Sequence, residues 1–169
     1  MANPTGSNAA IGDFARTTGI EVVSRKSDAT GCSKGEIVMF DTNGLTVIGT
    51  ETAGIQSFGF GVALEDVAAN ADGRFAIGNT WIYVLAGQTI VPFNAVDIDA
   101  TAGRAGQLDE PANASLNTIF SDTETEAEID LVRDYFGKFV GRYMFHQLEE
   151  VGDPTDAADG DVIAIRLGL

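Results

Sequence analysis

Apolar residues along this chain fall in short runs that glycine, asparagine and aspartate interrupt. Two such runs, Glu36–Asp41 and Leu45–Gly49, flank Asn43-Gly44, a dipeptide that supplies the positive φ angles of a tight hairpin turn. Residues 80–86 place apolar side chains on both faces of an alternating pattern. That pattern predicts a strand that is buried on both sides.

Further short strands are predicted along the rest of the chain. They are Phe58–Leu64, Arg74–Gly78, Thr89–Ile98, Lys138–Gln147 and Asp161–Leu167. Pro92 interrupts the third of these and indicates a sheet edge or a bulge. Short strands separated by glycine-rich turns are typical of a β-barrel or a sandwich. We therefore predict a mainly β protein, a small Gly-rich β-barrel or sandwich.

Two segments depart from this pattern. Residues 1–34 begin without periodicity and are predicted to form an extended N-terminal arm, which leaves 35–169 as the β-domain. Residues 99–137 read as an insertion of loop and one short helix. The helix is predicted because Ser121 and Glu124 fit a capping box ahead of an apolar face at helical spacing.

A weak internal similarity links two parts of the chain. Residues 58–77 and 139–165 each contain a predicted strand, an acidic loop, an Asp-Gly turn and a second strand. The similarity indicates either two related hairpins in one barrel or a chance likeness between two hairpins.

The charge of the chain is strongly negative. Its 169 residues carry a formal net charge of −15, which argues against binding to nucleic acid. Excess aspartate and scarce lysine are typical of proteins from salt-in halophiles, where molar salt screens dense surface carboxylates. An ordinary acidic mesophilic protein is the alternative.

Basic residues concentrate in the predicted arm, where four bases meet three acids. We expect the arm to dock on an acidic neighbouring subunit or shell, although an ordinary frayed terminus would have the same composition. The residues predicted to make this contact are Phe14, Arg16, Arg25, Lys26 and Lys34.

The chain offers little for catalysis or metal binding. Asp153, Asp156, Asp159 and Asp161 are weak candidates for a cation site, but their spacing does not fit a calcium-binding loop. His146, the single histidine, lies in a strand-like segment. No catalytic residue and no cofactor are predicted, apart from possible structural cations, and we expect no enzyme activity.

Three further features shape the expectations. Cys32 has Lys34 two residues away, which would lower the pKa of its thiol, although an incidental cysteine is the simpler interpretation. Asn113 begins a glycosylation sequon. No apolar stretch approaches the roughly 20 residues of a membrane helix, and residues 1–10 are polar, so neither a membrane partner nor a signal peptide is expected.

The order of motifs resembles that of the small β-rich capsid cement, or decoration, proteins of tailed viruses. The resemblance covers residues 35–98 and 138–169 and begins with the short Met1–Pro4 segment. It is carried by Gly35-Glu-Ile-Val38, the Gly-rich Phe58–Asp66, Asp72–Gly78, Trp81–Leu85, Phe139–Arg142 and Asp159–Leu167.

This resemblance implies a non-enzymatic protein on the outer capsid surface, made in the host cytoplasm. Its partners would be the major capsid protein and itself, as a homotrimer that bridges capsid subunits. With the acidic composition, it suggests a virus of a halophilic archaeon. The alternatives are a capsid turret or spike base, and a halophilic ligand-binding β-domain that stacks ligands on Trp81, Tyr83 and Tyr143.

Overall fold

The computed structural model describes residues 10–16, 18–40, 45–48, 59–99, 103–108, 140–146 and 155–168. These residues form ten β-strands. The strands are β1 (Glu21–Ser27), β2 (Ile37–Phe40), β3 (Leu45–Ile48), β4 (Phe60–Ala63), β5 (Asp72–Ile77), β6 (Trp81–Leu85), β7 (Ala95–Ile98), β8 (Ala105–Gln107), β9 (Gly141–His146) and β10 (Val162–Leu167). The described segments contain no helix that could cross a membrane. The protein is mainly β, as predicted.

The first five strands form one sheet that closes on itself as a barrel, in the order β1-β3-β2-β4-β5. β1 pairs antiparallel with β5 along six residues, from Glu21 to Lys26. The barrel closes where β1 also pairs in parallel with β3, at Lys26 and Ser27. β1 therefore lies between β5 and β3 and closes the sheet.

The other five strands form a second sheet, in the order β6-β10-β9-β7-β8. Its first strand, β6, pairs antiparallel with its last strand, β10, from Trp81 to Leu85. A parallel bridge from Ala86 to Ala105 brings β8 against the end of β6. Each pair of neighbouring strands in the first sheet thus has a counterpart in the second sheet. For example, β6 corresponds to β1, and β10 corresponds to β5.

Irregular segments repeat as well. Cys32 follows β1 and forms a bridge with Val67, which precedes β5. Ile90 follows β6 and forms a bridge with Ala157, which precedes β10. The spacing along the chain between each residue and its strand is the same in both cases. Asn70 and Gly160, three residues after the second partner of each bridge, both have positive φ angles. We therefore describe the chain as two structurally equivalent units, unit 1 (β1–β5) and unit 2 (β6–β10).

The similarity between residues 58–77 and 139–165 has a structural counterpart in these units. The first segment contains β4 and β5, and the second contains β9 and β10. The alignment of the two Asp-Gly turns is wrong, because the registers make Asp72 equivalent to Val162 rather than to Asp159.

One apolar core joins the two units. Ile37, Met39, Val62 and Ala76 of unit 1 belong to the same buried cluster as residues from every strand of unit 2. Tyr143 is fully buried in this cluster. Burial of apolar area at about 25 cal/mol per Å² makes the shared core the main stabilising contact between the units.

Residues 1–34 do not stand apart from the β-domain where they are described. They are extended, as expected, but β1 is a full strand of unit 1 and its Val23 packs on the core beside Phe75. Ala15 is fully buried and its N–H donates to Trp81 O at 2.8 Å. The expectation of an arm separate from the β-domain is corrected for these described residues, because long-range pairing within the chain satisfies their backbone.

Two other expectations are also revised. Only Ala95–Ile98 of the predicted strand Thr89–Ile98 is a strand, because residues 91–94 form a turn. Ala105–Gln107, placed in the loop of the 99–137 insertion, is strand β8. The predicted helix and the sequon at Asn113 lie outside the described residues.

We predict that Gly141→Ala destabilises the protein by about 2 kcal/mol, because a Cβ there would lie 2.2 Å from Arg166 O on the paired strand. Gly160→Ala is the matched control, since nothing lies within 4 Å of its Cβ position. Its cost, about 1 kcal/mol, comes from the positive φ alone. Urea unfolding of both variants measures the difference, and equal losses would show that backbone contact at Gly141 is unimportant.

Candidate interaction surface

An exposed apolar turn lies between β6 and β7 of unit 2. Its residues are Val91, Pro92 and Phe93, and we call it the Val91–Phe93 turn. The side chain of Phe93 is 55% exposed and that of Val91 is 42% exposed. Ile20 and Val22 are the other exposed large apolar side chains among the described residues. Adjacent exposed apolar side chains are a feature of protein interaction sites.

Hydrogen bonds hold the backbone of this turn in place. Val91 N–H donates to Gln107 Oε1 at 2.9 Å, and Phe93 N–H donates to Tyr143 O at 3.1 Å. The guanidinium of Arg142 donates through Nη1 to Phe93 O at 3.1 Å. Because β8 and β9 anchor both ends, the two apolar side chains are presented by a fixed backbone rather than by a loose loop.

Phe93 has a backbone conformation that suits glycine. Its φ is +65°, in the left-handed region, which costs a residue with a Cβ roughly 1–2 kcal/mol. The equivalent residue of unit 1 is Gly35, with φ +84°. The equivalence follows from the hydrogen bonds, since Gly35 N–H donates to Ala63 O as Phe93 N–H donates to Tyr143 O. An aromatic side chain thus stands, exposed, where the other unit has glycine.

Sequence reasoning did not select Val91 and Phe93 as interaction residues. The pattern of Thr89–Ile98 predicts a strand, in which one of the two faces would be buried. Pro92 was the available signal, since it marks a break in the strand. The exposure of the neighbouring side chains depends on the turn that this break introduces.

The five predicted contact residues do not form one surface. Phe14 is half-buried against the shared core, and Arg16 and Lys34 interact with other parts of this chain. Arg25 and Lys26 are exposed on β1. Only the last two are neighbours on one strand, and successive side chains of a strand point to opposite faces.

Arg16 covers Trp81. Its guanidinium carbon lies 3.6 Å from the centre of the indole ring, a cation–π contact. Tyr83 and Tyr143 are fully buried, and the Tyr143 hydroxyl donates to Thr155 O at 2.8 Å. Two of these aromatic rings are buried and the half-buried ring of Trp81 is covered by Arg16, so they do not provide the stacking surface that the ligand-binding alternative requires.

An ion pair fixes the segment before β1. Lys34 Nζ lies 2.7 Å from Asp13 Oδ1, and this hydrogen bond lowers the pKa of Asp13. Both side chains are more than a third exposed, so screening by solvent limits the stabilisation to less than about 1 kcal/mol. Lys34 is thus occupied within the chain.

The acidic candidates for a cation site have separate roles. Asp159 pairs with Arg104 at 2.9 Å, and Asp161 Oδ2 accepts the N–H of Ala158 at 2.7 Å. Asp156 is exposed, and Asp153 lies outside the described residues. Within the described segments, no group of three His, Cys, Asp or Glu residues is arranged to hold a metal ion.

The remaining candidates for chemistry are His146 and Cys32. His146 lies on β9 opposite Ile163, in the strand that the sequence predicts. The expectation that Lys34 lowers the pKa of Cys32 is wrong. Burial, followed by the negative charges of Glu36, Asp28 and Asp66, raises the pKa of the thiol to about 11.

We predict that Cys32 reacts slowly with alkylating reagents at pH 8. The thiolate is the reactive form, and a rise from 9.0 to about 11 lowers its fraction on the order of a hundredfold. Iodoacetamide labelling followed by mass spectrometry, from pH 7 to pH 10, measures the rate. Unfolded protein in urea is the control and should react at the rate of a free thiol; an equally fast folded protein would contradict the prediction.

The chain was compared with protein families, curated sequences and solved structures. No protein family model matches the chain, and no curated protein sequence matches it. Among solved structures, the chain is similar to the head fiber gp8.5 N base of bacteriophage phi29, with 10% sequence identity and a TM-score of 0.49. The superposition covers 88% of this chain and 94% of that one.

Proposed function

We propose that the chain is a structural protein of a tailed-virus particle, which binds the outer surface of the capsid and bridges major capsid subunits. Its resemblance to capsid cement proteins supports this identification of the partner. The segments that carry that resemblance form strands β2, β4, β5, β6, β9 and β10, so they are framework elements of both units.

The observation that carries a binding role is the Val91–Phe93 turn. A large side chain is kept exposed at a backbone position that costs free energy, and such strain is found at functional sites. In the proposed complex, Phe93 inserts into an apolar pocket of a capsid subunit. Buried aromatic anchors of this kind contribute a large part of the affinity of an interface.

Self-association of the chain is part of the proposal. Its support is the presence of a second exposed apolar pair, Ile20 and Val22, on unit 1. One apolar surface on each unit allows the chain to contact the capsid and a neighbouring copy at the same time. A structural role of this kind requires no catalytic group.

We predict that Phe93→Gly releases the protein from particles without destabilising its fold. Glycine removes the apolar anchor and relieves the positive φ, so the free energy of unfolding should change by less than about 1 kcal/mol. The measurement is the occupancy of capsids, made without this protein, after incubation with purified wild type or variant. Occupancy should fall at least about tenfold at a fixed concentration.

The matched control is Thr89→Gly, which removes an exposed polar side chain from the same connection between β6 and β7. This variant should bind as the wild type does. Wild-type occupancy by a folded Phe93→Gly protein would overturn the assignment of the turn as the capsid contact. Absence of binding by the wild-type protein would overturn the proposed function itself.

We also predict that binding to particles depends on salt. With a formal net charge of −15, the chain repels an acidic capsid once the Debye length grows from ~3 Å at ~1 M salt to ~30 Å at ~0.01 M. The bound fraction should therefore fall as NaCl is diluted, and millimolar Mg²⁺ should partly restore it. Occupancy that stays constant over this range would show that apolar contacts dominate.

A further inference from the structure

Among the described residues, β1 has a neighbouring strand on only one side along most of its length. β1 pairs with β5 on one side from Glu21 to Lys26. On its other side, β3 reaches β1 at Lys26 and Ser27, and no other described strand lies beside Glu21–Arg25. An unpaired edge of this length is a template for the addition of another strand.

The hydrogen bonds of β1 show which groups face the open edge. Glu21 N–H donates to Thr80 Oγ1, and Ser27 N–H donates to Ala71 O, both on the side of β5. Because successive residues of a strand alternate in direction, the N–H and C=O groups of Val22 and Ser24 face away from β5. No described strand lies beside these groups, and an added strand would bond to them.

The equivalent edge in unit 2 already holds an added segment. Residues 12–15 lie antiparallel beside β6, where Gly12 N–H donates to Tyr83 O at 2.7 Å and Ala15 N–H donates to Trp81 O at 2.8 Å. Tyr83 N–H donates in turn to Asp13 O at 3.0 Å. The fold therefore accepts an antiparallel strand at this edge.

The two edges can be matched residue by residue. Ser27 N–H donates to Ala71 O as Ala86 N–H donates to Asp161 O, which makes Ser27 equivalent to Ala86. Counting back along each strand makes Ser24 equivalent to Tyr83 and Val22 to Trp81. The groups that bind residues 12–15 in unit 2 thus have counterparts in unit 1 beside which no described strand lies.

The sequence of β1 is complementary to itself in the antiparallel direction. Glu21 and Arg25 lie at equal distances on either side of Val23, and both side chains are exposed. A second copy of β1, centred on Val23, would place each Glu21 opposite an Arg25. Oppositely charged cross-strand pairs stabilise a sheet, and two such pairs would form.

We propose that β1 is a self-association edge, at which two copies of this chain pair antiparallel about Val23. Ser24 N–H of each copy donates to Val22 O of the other, and Val22 N–H to Ser24 O. The pairing also covers Val22, which is 47% exposed in the single chain. This contact gives a location to the self-association proposed above; it is separate from the Val91–Phe93 turn and does not depend on capsid binding.

Charge reversal on the full-length protein tests this register. Sedimentation equilibrium should show a dimer of the wild type, and Glu21→Arg should weaken it about tenfold because it sets two arginine pairs face to face. Arg25→Glu should weaken it similarly by opposing carboxylates. A mixture of the two variants should regain wild-type affinity, since every cross-strand pair is then complementary.

Asp156→Arg is the control, because it makes the same change in net charge as Glu21→Arg at an exposed site on unit 2. It should leave dimerisation unchanged, and circular dichroism checks that each variant folds. The proposal is overturned by a monomeric wild type, by equal effects of Asp156→Arg and Glu21→Arg, or by a mixture that stays as weak as its components. A monomeric wild type, or equal effects of Asp156→Arg and Glu21→Arg, would leave this edge of β1 to a different partner, such as a capsid segment.

Discussion

The structure depends on one type of contact, the double pairing of the first strand of each unit. β1 pairs antiparallel with β5 and in parallel with β3, and β6 has the corresponding neighbours in unit 2. Without β1, the sheet of unit 1 would have two edges and would expose the core around Phe75. Because β1 and β5 lie far apart in the chain, the core forms only after long-range closure.

The two units share one framework but differ at some equivalent positions. At one position, unit 1 has Gly35 and unit 2 has Phe93, both with positive φ. At another, residues 12–15 cover the edge of β6 while the equivalent edge of β1 is open among the described strands. Both proposed interaction surfaces lie where equivalent positions of the two units differ.

Acidic charge affects the surface more than the fold. Asp13, Asp159 and Asp161 each accept a hydrogen bond or form an ion pair within the chain. Individual exposed pairs of this kind stabilise a protein little. Their local function is to fix turns and the segment before β1, whereas the net charge of the whole chain governs how closely another acidic surface can approach.

Local patterns determined where most strands lie. Alternation at residues 80–86 predicts β6, and the apolar run at Asp161–Leu167 predicts β10, since side chains two residues apart share a face of a strand. β1 was missed because Glu21–Ser27 is mostly polar and exposed. Its strand structure depends on pairing with β5, which no local pattern contains.

The sequence by itself determined the mainly β class, the approximate strand positions and the net charge, because these depend on residue type and near neighbours. Only the tertiary structure decided the surroundings of individual side chains. It raises the pKa of Cys32 through burial and three carboxylates, although Lys34 is closer in sequence. It also exposes Phe93 by turning the chain at residues 91–94, since exposure depends on how distant strands anchor that turn.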